Sequence, residues 1–308
     1  MLPPLVVLNG PTASGKSSLA IRVAQQLTRR GHPSEIVNAD SMLVYRGMDI
    51  GTAKPTVAEL AAVPHHLVDI LDVTQTSTVA DIQALAREVI ARLRAEGIVP
   101  VLVGGSALYV HAIVDDFDFP GSDPQVRARH EARLAEVGPY ALHAELAQRA
   151  PEAAASMDPG NGRRIVRALE VLELTGELRP RLPQWTYALE RVLQYGLEID
   201  REVMDRRINE RVDQMWSDGL VEEVRRLEEQ GLREGLTASR ALGYRQVLAH
   251  LDGEVDEHTA REMTKAGTRR FARKQLGWFR RDPRVVWLPA GDPSSPERIV
   301  DDVCQALG

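Results

Sequence analysis

A chain of 308 residues, 44% hydrophobic and 27% charged, has the composition of an ordinary globular protein and room for one large domain plus a smaller one. Its net charge of −6 excludes a global field that draws it to nucleic acid or an anionic surface, so any such partner must be met by a local basic patch. The lone cysteine, Cys304, excludes an intrachain disulfide and fits a reducing cytoplasm, and no apolar run approaches the roughly 20 residues that span a bilayer, so no membrane partner is expected. The N-terminus lacks a basic leader and its apolar run ends in glycines, so no signal peptide is expected either.

Leu5-Val6-Val7-Leu8-Asn9 is a short apolar run of strand type, and Ser18 to Leu27 is periodic and helical. Between them, Gly10-Pro11-Thr12-Ala13-Ser14-Gly15-Lys16-Ser17 fits the phosphate-loop pattern G-x-x-x-x-G-K-[ST] at every fixed position. A strand that breaks into such a loop and enters a helix turns backbone N–H groups toward an anion, and the helix dipole favours that anion. Lys16 adds a positive charge, and the Ser17 hydroxyl suits a magnesium ion. The loop implies a bound di- or triphosphate, and the motif also admits ATP.

Ser34 to Ala39 reads as a second strand that delivers Asp40 and Ser41 to the same carboxyl-end rim as the loop. Asp40 can hold magnesium, take a proton, or simply cap a helix, and these readings stay open. Leu43 to Pro55 reads as a long working loop, in which Lys54 is either a solvated charge or a second anion contact. Pro64 to Ile70 reads as a strand, and its paired His65 and His66 lack further ligands at metal spacing. An amphipathic helix from Val79 to Glu96 leads to a buried strand, Ile98 to Val103, which ends in Gly104-Gly105-Ser106. An NTPase usually ends such a strand in a magnesium-holding acid, so this ending argues against ATP hydrolysis.

Phe117-Asp118-Phe119-Pro120-Gly121 reads as a linker, and Ser122-Asp123-Pro124 starts a helix. The chain then reads as helical to about Trp185, broken at Gly138-Pro139, Pro151, Asp158-Pro159-Gly160 and Gly176, with a basic N-terminal end on the helix Arg163 to Val171. Leu193 to Ile199 returns as a strand, and Asp200 caps a long helix with Met204, Ile208, Val212 and Met215 on one face. Arg207 and Arg211 lie four apart on it; for Arg207 a surface pairing with Asp205 or Glu210 is expected. Further helices follow from Gly219 to Gln230 and after Ala238. Met263 to Arg281 carries Arg273 among seven cations and no acid, with Trp278 and Phe279 interleaved. RNA contact is expected there, with part of the aromatic surface in the core. Val285 to Leu288 reads as a last strand before a short helix.

The alternation predicts an α/β fold: a P-loop NTPase-like core with a mostly parallel sheet flanked by helices, plus an all-helical insertion domain. Residues 1–118 and 188–308 are expected to form the core, with residues 119–187 as an RNA-binding insertion.

Several of these stretches together resemble one family, the tRNA dimethylallyltransferases, also called tRNA isopentenyltransferases. They are the phosphate loop; Asp40-Ser41 through Tyr45 to Gly51-Thr52-Ala53-Lys54-Pro55; Val103-Gly104-Gly105-Ser106; Arg167-Ala168-Leu169-Glu170-Val171; Arg207-Ile208 through Arg211-Val212; and Gly243-Tyr244-Arg245. The resemblance implies transfer of a dimethylallyl group from dimethylallyl diphosphate to N6 of adenosine 37 in the tRNA anticodon stem-loop, by a cytoplasmic monomer. It implies Asp40 as general base, with Lys16, Ser17 and Arg211 holding the diphosphate with Mg2+. It places Ser106 and Arg127 near the reaction centre. It assigns tRNA contacts to Asp40, Ser41, Met42 and Leu43, to Arg163, Arg164, Ile165, Val166 and Arg167, and to Arg240, Gly243, Tyr244 and Arg245. Many family members carry glutamine where Leu43 stands, and an apolar residue there cannot hydrogen-bond the adenine edge in the same way. Three other readings use the same loop: a small-molecule kinase, a prenyltransferase acting on free adenine nucleotides, and a nucleotide-switched RNA-binding protein without catalysis.

Overall fold

The computed structural model describes residues 2–117, 119–178 and 185–308. Asp118 of the expected linker lies outside them. The chain divides into two compact units, a core of Met1–Asp115 and Tyr187–Gly308 and a second unit of Asp116–Thr186.

In the core, β1 (Leu5–Asn9) feeds the phosphate loop and α1 (Lys16–Arg29); β2 (Ser34–Asn38) is followed by turns, α2 (Val57–Ala62) and β3 (His65–His66). Then come α3 (Val79–Ala95), β4 (Val99–Gly104) and α4 (Ala107–Val114). The second unit holds α5 (Pro124–Arg149), α6 (Pro151–Ala155) and α7 (Gly162–Thr175). The core resumes with β5 (Val192–Glu198), α8 (Arg201–Ser217), α9 (Leu220–Glu229), α10 (Tyr244–Leu251), α11 (Glu257–Phe279), β6 (Val286–Pro289) and α12 (Ser295–Leu307).

The strands form one sheet in the order β3-β2-β4-β1-β5-β6, and every pair is parallel. Its central strand alternates faces. Leu5 and Val7 pack with α3, α4 and α8 to α11, while Val6 and Leu8 pack with α1 and α12. A strand covered on both faces has no polar side, which is why β1 reads as a continuous apolar run.

Some elements depart from the sequence pattern. α1 starts at Lys16, two residues early, because Gly15 takes a left-handed conformation (φ 89°) that closes the loop directly into the helix. The strand expected over residues 64–70 is only His65–His66, because Leu67 and Asp69 have φ of 62° and 55°, which no pleat accommodates. α4 is buried nearly all round, so it has no amphipathic stripe for a sequence reading to find. Within α5, Gly138 (φ 77°, ψ 169°) interrupts the helix where Gly138-Pro139 was expected to break it. The second unit packs Leu142 and Leu146 of α5 against Ile165, Val166 and Leu169 of α7.

Where the chain leaves and re-enters the core, Asp115 and Tyr187 pair in an antiparallel bridge. Arg284 fixes both ends of it. Its guanidinium donates to both carboxylate oxygens of the fully buried Asp115, at 2.5 and 2.9 Å, and lies over the Tyr187 ring at 3.8 Å. Asp282 and His111 complete the cluster. Removing one partner of a buried ion pair strands the other, so Asp115→Ala is expected to cost about 3–5 kcal/mol, read as a lower urea midpoint at unchanged slope.

Candidate functional site

The phosphate loop, the end of β2 and the middle of α8 meet at the carboxyl edge of the sheet. Asp40 stands two residues beyond the end of β2, and its position is set by a local turn. Its N–H donates to Asn38 Oδ1 at 2.8 Å, and its own Oδ1 accepts the Met42 N–H at 2.9 Å. Asn38 is itself tied down, donating to the carbonyls of Asp40 and Leu67. The helix-cap reading of Asp40 is corrected, because turns and not a helix follow it.

Two cations face this carboxylate. Burial pulls the Lys16 ammonium down to about 8; Asp40 opposes that shift and Arg211 adds to it. Burial likewise lowers Arg211, again opposed by Asp40. Arg211 donates to Thr12 Oγ1 at 3.5 Å and to the Thr52 carbonyl at 3.3 Å. Two desolvated cations sharing one carboxylate form a site short of negative charge, which is what a diphosphate supplies.

Two chambers open around these groups. A smaller one, about 90 Å³, is lined by Lys16, Ser17, Leu43, Ala53 and Val103 among others. A larger one, about 410 Å³, is lined by Ser41, Met42, Ser106, Arg240, Arg245 and Phe271 among others. Thr12, Asp40, Thr52 and Arg211 line both, so the carboxylate and the guanidinium stand where the chambers meet. Ser106 is the N-cap residue of α4, yet its side chain makes no capping bond. Of the Gly-Gly before it, Gly104 is required by close approach, since a Cβ there would lie 2.8 Å from the Ala39 carbonyl oxygen. A Cβ on Gly105 would lie 2.7 Å from Gln275 Nε2 and 3.3 Å from Lys16 Nζ. Gln275, on α11, accepts the Thr12 N–H at 3.0 Å and so ties that helix to the phosphate loop.

Several expectations are corrected. Leu43 lines the smaller chamber with Lys16 and not the larger one with Ser41 and Met42. Tyr244 lies not on the outer surface but in the wall of the larger chamber, where it is fully buried and donates its hydroxyl to Glu223 at 2.6 Å. Gly243 is buried and serves as the N-cap of α10. Ile165 and Val166 are core residues of the second unit, because the helical period turns them inward. Arg127 and Arg167 are both engaged by the buried Glu170 at 2.8 Å. Burial pushes Glu170 up, but hydrogen bonds from Arg167, Arg127 and Ser122 outweigh it and hold the carboxyl at about 2. Arg163 and Arg164 are exposed at the start of α7.

Lys54 is neither solvated nor an anion contact. It is 5% exposed and enclosed by Asp49, Asp69 and the Tyr45 carbonyl. His66 pairs with Glu35, and His65 Nδ1 lies 2.7 Å from the Val63 carbonyl oxygen. Arg207 was missed as a site residue. Of the two acids expected to pair with it, Asp205 is taken by Arg273 of α11 and Glu210 forms no ion pair with it among the described residues; Arg207 instead lines the outer mouth of the phosphate loop beside Lys16 and Ser17. The i, i+4 spacing of Arg207 and Arg211 on one helix face was the available signal.

On α11, Lys265 pairs with Asp213 and Glu262, and Arg269 bonds Asn209. Arg270 and Lys274 are exposed and make no ion pair among the described residues. Phe279 is core, and Trp278 is half-buried under Arg281.

The fold and site define a P-loop α/β protein in which the phosphate loop faces a small cationic chamber that meets a second, larger one. The chain matches the family model described as IPP transferase over residues 43–282 and belongs to that family. It is 60% identical to the tRNA dimethylallyltransferase of Kineococcus radiotolerans over 99% of this chain and 96% of that one, and 56% identical to that of Cutibacterium acnes over 99% and 95%. Among solved structures, the tRNA isopentenylpyrophosphate transferase of Bacillus halodurans aligns with a TM-score of 0.71 at 37% identity, over 99% of this chain and 97% of that one.

Because an ammonium binds an anion only while protonated, affinity for inorganic diphosphate is expected to hold below pH 8 and to fall as pH rises through the Lys16 value of about 8. Titration calorimetry across pH 6.5 to 9.5 (about this range) checks it, and a Lys16→Arg variant should flatten the fall.

Proposed function

We propose that this protein transfers a dimethylallyl group from dimethylallyl diphosphate to N6 of adenosine 37 in tRNA and releases diphosphate. The observation that carries the reading is the position of Asp40 and Arg211 where the two chambers meet, one chamber containing the phosphate-loop Lys16 and the other rimmed by Arg240 and Arg245. The relatives' names, tRNA dimethylallyltransferase, support the same reaction.

An exocyclic adenine amine is a poor nucleophile, because its lone pair is delocalised into the ring. In the proposed step N6 attacks C1 of the allylic group, the C1–O bond breaks, and the diphosphate leaves with the bonding electrons. The N6 proton passes to Asp40, which is fixed by its turn and can contribute about 10²–10⁴-fold as a base. Lys16, Arg211 and the loop N–H groups take up the charge that develops on the leaving oxygen. Ser17, which lines the same small chamber, offers a hydroxyl oxygen of the kind Mg2+ accepts beside a phosphate. When bound, that ion would neutralise part of the leaving group's charge. The target base lies in a loop, so it can be extruded into the larger chamber from the RNA side. Exposed Arg163, Arg164, Arg240, Arg245, Arg270 and Lys274 are the cations assigned to the tRNA backbone. Among the described residues no helix is long and apolar enough to cross a membrane. We place the protein in the cytoplasm as a monomer.

The test is incubation with dimethylallyl diphosphate, magnesium and unmodified tRNA, followed by nucleoside mass analysis. One added dimethylallyl group on an anticodon-loop adenosine is expected. Gain on free adenine nucleotides but not on tRNA would replace the acceptor, and ATP turnover with a small acceptor alone would make the protein a kinase. In single-turnover reactions, Asp40→Ala should leave tRNA binding near wild type and slow transfer by about 10²–10⁴-fold. A rate close to wild type would remove Asp40 as the base.

A further inference from the structure

Glu223 on α9 lines neither chamber, is 1% exposed, and forms no ion pair among the described residues. A buried carboxylate without a cation is costly unless its oxygens are fully hydrogen-bonded. Here they are. Oε2 accepts the N–H groups of Asp49 at 3.1 Å and Ile50 at 2.8 Å. Oε1 accepts the Gly51 N–H at 3.2 Å and the Tyr244 hydroxyl at 2.6 Å. Three consecutive backbone donors on one side chain fix the plane of each peptide from residue 48 to 51.

The next residue is Thr52, whose carbonyl accepts from Arg211. The other contact of that guanidinium to a fixed group, Thr12 Oγ1, is at the 3.5 Å limit of a hydrogen bond. The direction of the Arg211 fork therefore depends on where the Thr52 carbonyl is held. Three anchors hold it: Glu223 on residues 49–51; Lys54, enclosed by Asp49 and Asp69, just beyond; and the Thr52 hydroxyl, which donates to the Met48 carbonyl at 2.6 Å and so ties Thr52 to the same segment. Gly51 makes the anchoring tight, since a Cβ there would come within 2.5 Å of the Tyr244 ring. The burial and the carboxylate keep the Tyr244 hydroxyl protonated, raising it well above its ordinary value, so it remains a donor to Glu223.

We infer that Glu223 is a positioning residue for the transfer reaction: through the Asp49–Thr52 backbone it aims Arg211 at the diphosphate. The inference rests on the proposed function for its kinetic part and on diphosphate binding alone for the rest. A displacement of about 1 Å in a catalytic group can cost about 10²-fold, so a change two side chains away is measurable.

The experiment uses the full chain and the probe inorganic diphosphate with magnesium. Glu223→Gln keeps the volume but turns an NH2 group toward backbone donors. It is expected to weaken diphosphate binding by about tenfold and to lower kcat by about 10–100-fold, with the KM for tRNA within about twofold of wild type. In an Arg211→Ala background, Glu223→Gln should weaken diphosphate no further, because its effect runs through Arg211. A Glu223→Gln protein that melts earlier yet binds diphosphate and turns over like wild type would reduce Glu223 to a structural role, and so would losses that add fully to those of Arg211→Ala. If Glu223→Gln does not fold, Glu223→Asp, with the same charge on a shorter arm, should show the same losses, and wild-type binding and turnover in it would overturn the inference in the same way. A wild type that binds diphosphate but modifies no tRNA would sink the transferase reading while leaving the titrations to judge Glu223.

Discussion

Two cations, Lys16 and Arg211, are held out of water with one carboxylate, Asp40, to share. Such a group is tolerable in a folded protein only if the surrounding structure forces it, and much of the core is arranged to do so. The sheet brings the ends of β1 and β2 to one edge, α8 brings Arg211 across from them, and α9 and α10 brace the segment that faces Arg211. The unbalanced positive charge is a reservoir released when an anion enters. Charge held in this way costs stability by itself and is preorganised for a group that gathers negative charge, as the diphosphate of the proposed reaction would.

The sequence made the phosphate loop legible because its signal is local: glycines, a lysine and a hydroxyl in register between a strand and a helix. The same holds for β1, β4 and the apolar face of α8. Asp40 was legible in position, since strand ends share a rim, but not in surroundings. That its carboxylate is held by the Met42 N–H depends on a turn that no periodicity announces.

What stayed hidden is tertiary pairing. Lys54 looked like a free cation because Asp69, its enclosing partner, lies beyond α2 and β3 in the chain. Arg207 looked like half of an intrahelical pair because Asp205 stands nearby, but Arg273 claims that acid from another helix. Tyr244 and Ile165 carry residue types suited to an interface or a core alike, and only packing separates the two. The basic run on α11 was visible as composition; which of its charges are spent on Asp213 and Asp205, and which stay open, was not.

The bridge between Asp115 and Tyr187 has an evolutionary consequence. The two residues are cross-strand partners, whose Cα atoms stand only about 5 Å apart, and Arg284 closes them from within the core. The core is thus a self-contained circuit, and the intervening segment hangs from it as a loop hangs from a hairpin. A lineage could lengthen, shorten or exchange that segment without moving an atom of the phosphate site. Change in that segment is thereby uncoupled from the residues that build the phosphate site.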